Sequence, residues 1–139
     1  MKLSARNQLH GIVEYLDKGM INSSVYIKLK SGYTLVSVIT NTAVEDLNLQ
    51  IGDKVLAFFK SSSTLITTDI TLNISARNKF QGTISNINEG TVTAEIEIEI
   101  GASDKIVSVI TKISTRTLEL HCGDAVSAII KATDVMLAK

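Results

Sequence analysis

Residues 3–7 read LSARN, and residues 74–78 read ISARN. The echo is not local. Shifting the chain by 71 residues lays 3–68 onto 74–139 without a gap, and about 19 of the 66 paired positions are identical. That is far above chance for ordinary composition. Gly11 meets Gly82, Gly19 meets Gly90, and VSVIT at 36–40 meets VSVIT at 107–111. LNLQIGDKV (47–55) meets LELHCGDAV (118–126), and Lys60 meets Lys131. An internal repeat on this scale means one structural unit written twice. We therefore read two lobes, 1–69 and 73–139. They are joined near DITLN, a segment with neither the Gly/Ser nor the Pro content of a flexible tether. Units this small are marginal alone, so the lobes are expected to pack together and to oligomerise.

Each lobe alternates with the period of a β-strand. In NSSVYIKLK (22–30) Val25, Ile27 and Leu29 alternate with Tyr26, Lys28 and Lys30; EIEIEI (95–100) alternates isoleucine with glutamate. The two repeats thus differ in charge on this strand, which fits two solvated strand faces or, alternatively, a bias of lobe pairing toward unlike contacts. TLVSVIT, KIVSVIT, DKVLAFFK and DAVSAIIK supply further strands. Between them TNTAVEDLNLQIGD predicts a helical turn, with a capping box from Thr42 to Glu45 and closure at Gly52. The second lobe lacks the box. Five short strands and one helical turn per lobe make an all-β chain of two tandem five-stranded Greek-key barrels of the OB type.

Composition narrows the function. Net charge is zero and aromatics are 4% of the chain, which disfavours a nucleic-acid partner. One cysteine excludes an intrachain disulfide and fits a reducing compartment. The first ten residues have no apolar secretion core, and no apolar run is long enough for a membrane helix. A cytoplasmic protein is expected. Enzyme templates are missing: His10 and His121 are not repeat equivalents and are expected at the surface or an interface, and Cys122 is expected as a small buried hydrophobe.

What repeats is a set of hydrogen-bond donors. The first lobe has Ser4, Arg6 and Asn7, then Thr40, then Lys60, Ser61 and Ser62; the second has Ser75, Arg77 and Asn78, then Thr111, then Lys131, Ala132 and Thr133. Hydroxyls, amides and cations without carboxylates suit an unprotonated anion.

SARNQL, VSVIT, the Leu-x-Leu-x-x-Gly-Asp-x-Val stretch and FFKSSS/IIKATD carry a resemblance. The chain resembles the molybdenum-pterin-binding (Mop) family of TOBE-type OB folds, in the tandem form of the di-Mop molbindins. That resemblance covers the whole chain twice. It implies binding of molybdate, and of the nearly equal-sized tungstate, with no organic cofactor, no covalent chemistry and no membrane. It further implies a homotrimer, a pseudo-hexamer of lobes, with composite sites between lobes and subunits. Ser4 with Arg6, Thr40 and Lys60 with Ser61 match the family's anion-facing positions, as do Ser75 with Arg77, Thr111 and Lys131 with Ala132. Ala132 lacks a hydroxyl, so the second site is expected to be weaker. TOBE lobes also serve as sensors, which keeps a regulatory module acting in trans as an alternative, and an oligonucleotide-binding OB module as a weaker one.

Overall fold

The computed structural model describes residues 2–139. The first repeat forms β1 (Asn7–Lys18), β2 (Asn22–Leu29), β3 (Thr34–Thr40), α1 (Asn41–Asp46), β4 (Lys54–Phe59) and β5 (Leu65–Thr67). The second forms β6 (Asn78–Glu89), β7 (Thr93–Gly101), β8 (Asp104–Thr111), α2 (Lys112–Thr117), β9 (Ala125–Ile130) and β10 (Met136–Ala138). The expected all-β class and the helical turn in each repeat are both present.

Within each repeat the first four strands take the spatial order β4-β1-β2-β3, or β9-β6-β7-β8, which is a Greek key. All pairings are antiparallel. A register shift follows Val13 in β1 and Ile84 in β6, and such bulges help to curl a sheet. At Gly11 a side chain would press on Ile27 and the Lys28 carbonyl; Gly82 is confined in the same way by Ile98 and Glu99. That close approach of neighbouring strands explains why both glycines repeat.

The fifth strands are exchanged. β5 pairs with β9, placing Leu65 opposite Ile129, and β10 pairs with β4, placing Met136 opposite Phe58. Each sheet therefore takes four strands from one repeat and an edge strand from the other. The chain leaves β4 through a 3-10 turn at Ser61–Ser63 and leaves β9 through another at Ala132–Asp134. The repeated serine of VSVIT secures the crossing. Ser37 Oγ donates to the Val135 carbonyl at 2.7 Å, and Ser108 Oγ to the Thr64 carbonyl at 2.6 Å. One continuous core results, joining Leu35, Val55 and Phe59 to Phe80, Ile98 and Val126.

Three sequence expectations need correction. The helix begins at Asn41 and is capped by Thr40, whose Oγ1 accepts from Ala43 N–H at 3.1 Å; Thr42 lies inside the first turn. Helix closure falls at Asn48 and Glu119, both at positive φ, whereas Gly52 serves the later turn into β4. Cys122 is exposed, because its loop position, like that of Ile51, projects outward. Both histidines are exposed, as expected.

Candidate functional site

The SARN segment enters β1 immediately beside the end of β4, since Asn7 pairs with Phe59. Gln8 steadies the segment by donating to the Ala5 carbonyl at 2.9 Å. The result is a hollow of about 320 Å³ lined by Ser4, Arg6, Lys60, Ser61 and Ser62, with Phe58 and Met136 as apolar wall. Five of the donors picked from the first repeat thus meet within one chain. The Ser4, Ser61 and Ser62 hydroxyls and the Lys60 ammonium have no protein hydrogen-bond partner among the described residues. Arg6, also part of the lining, donates to Glu95 of the other repeat at 2.8 Å. Among the described residues no carboxylate lines the hollow itself.

Met136 belongs to the exchanged strand β10, so the second repeat completes the wall of the first repeat's hollow. The strand exchange and the hollow are therefore one construction: the 3-10 turn that sends the chain across also presents Ser61 and Ser62.

The second repeat departs from this arrangement. Lys131 lines a hollow of about 300 Å³ with Ser62, Ser63, Leu65, Ile129 and Asp134. Asp134 stands where the first repeat has Ser63, bringing a carboxylate beside Lys131 that the donor-only reading overlooked. Ala132 is buried and Thr133 exposed. Ser75 and Arg77 do not line that hollow. Arg77 instead donates to the Tyr26 hydroxyl at 3.3 Å and stacks over its ring at 5.8 Å.

Asn7 and Asn78 hold a different place. Both are buried. Asn7 Nδ2 donates to the Val107 carbonyl at 2.8 Å while Val107 N–H donates back to Oδ1 at 2.7 Å. Asn78 makes the reciprocal pair with Val36, both bonds at 2.8 Å. Each asparagine amide thus imitates a strand neighbour for the edge of the opposite sheet, and orders the SARN backbone from behind. The signal available in sequence was the repeat itself, which does not distinguish a ligand from a clamp.

Thr40 and Thr111 are remote from their own hollows. Thr40 pairs with Asn22 at the hairpin end of the sheet, whereas Asn7 begins β1 at the other end. Both threonines are exposed, and each caps a short helix: Thr111 Oγ1 accepts from Ser114 N–H at 3.0 Å and lies 2.8 Å from its hydroxyl.

The TOBE domain family model matches residues 3–66 and again 74–137. The chain is 38% identical over 138 residues to molybdenum transport protein ModE of Azotobacter vinelandii and 32% identical over 139 residues to molybdenum-pterin-binding protein MopA of Rhodobacter capsulatus. Both alignments cover 99% of this chain but only 51% and 52% of those proteins, so the chain spans about half the length of the curated relatives it matches. A solved structure of ModG, described as a cytoplasmic molybdate-binding protein and crystallised with molybdate bound, superposes with a TM-score of 0.96 at 37% identity, covering 99% of each chain. This chain belongs to the TOBE domain family and carries two such domains in tandem.

Proposed function

We propose that the chain binds molybdate as the intact oxyanion, and tungstate comparably, in the service of cytoplasmic storage and homeostasis and without covalent chemistry. The observation that carries this reading is the hollow where Ser4, Ser61, Ser62 and Lys60 present donors with no internal partner, beside Arg6. Its lining carries cations and hydroxyls but no carboxylate among the described residues, a balance that favours a fully ionised dianion over hydrogen phosphate. Sulfate has the charge but a smaller radius, so donors spaced for the larger tetrahedron leave it loosely held. Similarity to ModG, itself crystallised with molybdate, supports the same ligand.

The hollow offers donors from one side. A homotrimer would close it with a neighbour's Thr40 or Thr111, leaving Asn7 and Asn78 to hold the walls. The second site, with Ala132 and Asp134, is the weaker of the two. The test is equilibrium competition among molybdate, tungstate and sulfate, with metal analysis and native mass of the same sample. Comparable molybdate and tungstate occupancy, with sulfate far weaker, is expected on a trimer. Sulfate binding as tightly as molybdate would remove the size selection.

A second reading draws on the match to half of ModE, named a molybdenum transport protein: the tandem domain would then act as a regulatory module on a partner. Pull-downs from molybdate-replete and molybdate-starved lysates separate the two, since a store shows no ligand-dependent partner.

A further inference from the structure

A cavity of about 560 Å³ lies on the outer face of the first sheet and shares no residue with the oxyanion hollow. Its floor is apolar, formed by Ile12, Leu29, Val55 and Leu56. Ile12 is 46% exposed. Register sets Ile12 directly between Lys28 on β2 and Lys54 on β4. Lys30 and Lys139 complete the rim, but Asp104 lies 3.7 Å from the first and Asp53 3.0 Å from the second. Lys28 and Lys54 have no carboxylate partner among the described residues.

Lysine stems often shield apolar surface, and that alone would account for one such patch. The second repeat provides an internal control. There Thr83 replaces Ile12, Glu99 replaces Lys28 and Ala125 replaces Lys54; Thr83 and Glu99 line a cavity at the corresponding place, which Ala125 does not reach. The fold at this position therefore requires neither the apolar floor nor the ammonium groups.

We infer that the first-sheet groove is a binding site for a small organic anion with an apolar body, its charge held between Lys28 and Lys54 and its body on Ile12 and Leu56. The volume lies within the range of roughly 300–1,000 Å³ usual for small-molecule sites. A second copy fits less well. The acidic strand that would match the lysines lies in a sheet face, and two of its carboxylates are held within the chain, Glu95 by Arg6 and Glu97 by Lys105.

The test is calorimetric titration of the full chain with decanoate, decanol and decyltrimethylammonium, each with and without saturating molybdate. One decanoate per chain is expected, with the alcohol and the cation weaker by at least about tenfold, and no effect of molybdate. Lys28→Glu with Lys54→Glu should weaken decanoate by at least about tenfold, Ile12→Gln should weaken it too, and Glu99→Gln should change nothing. All four substitutions are at exposed positions. Equal binding of decanol, two decanoates per chain, or an unchanged double variant would overturn the proposal. So would a native mass that falls when Lys28 and Lys54 are reversed, which would assign the groove to self-association. Failure of molybdate binding would leave these outcomes unaffected.

Discussion

At the scale of single residues, the asparagine of each SARN segment is the most consequential side chain. Removing Asn7 strands the N–H and carbonyl of Val107 in a buried setting. Such orphaned groups cost about 1–3 kcal/mol each, so Asn7→Ala and Asn78→Ala should each destabilise the chain by about 3 kcal/mol in urea unfolding. Asn7→Asp should be nearly as damaging, since a carboxylate accepts from Val107 N–H but faces the carbonyl without a proton to give. The proposed ligand positions predict the opposite pattern. Ser61→Ala should leave stability unchanged and weaken molybdate by about 1 kcal/mol, or roughly fivefold. Ala132→Ser with Asp134→Ser should strengthen the second site by a comparable factor, read by calorimetry. Both kinds of residue are polar and both repeat, so sequence placed them in one set; burial divides them.

At the scale of elements, alternation was legible because a half-exposed antiparallel strand imposes a period of two, and β2 and β7 carry it cleanly. The start of α1 was not, since Thr40 and Thr42 are equally good caps and the end of β3 decides between them. The exchanged strands are short and rest on few bonds. Ser37→Ala and Ser108→Ala should therefore each cost about 1–2 kcal/mol and speed amide exchange in β10 and β5 respectively. Beside β10, the Lys139 ammonium donates to Asp53 and, with the Gln50 N–H, holds that carboxyl below its ordinary value. A carboxyl depressed in the folded state stabilises at pH above its unfolded value of about 3.9 and loses that contribution as pH falls through the folded one. The gap in melting temperature between the native chain and Asp53→Asn should hold steady above about pH 5 and close as the pH drops below about 4.

At the scale of the whole molecule, the two repeats are one folding unit, tied by exchanged strands, reciprocal asparagine clamps and a shared core. Residues 1–72 expressed alone should not be monomeric. Their β4 edge lacks a fifth strand, and β5 of a second copy is the nearest substitute, so a strand-exchanged dimer is the expected native mass. If molybdate binds between subunits as proposed, it should raise the melting temperature of the folded assembly. At about 100 times Kd the stabilisation is about 2.7 kcal/mol, or roughly 5–10 °C for a chain of this size; an unchanged curve would remove interface binding. Repeat, strand periodicity and donor inventory were all readable in the linear order of residues, because each depends on neighbours a few positions apart or on direct comparison of the two copies. Which sheet receives each fifth strand, which polar side chains are buried, and which donors share a hollow depend on contacts between residues up to 100 positions apart, and burial and pairing at that range arise only once both repeats have closed around one core.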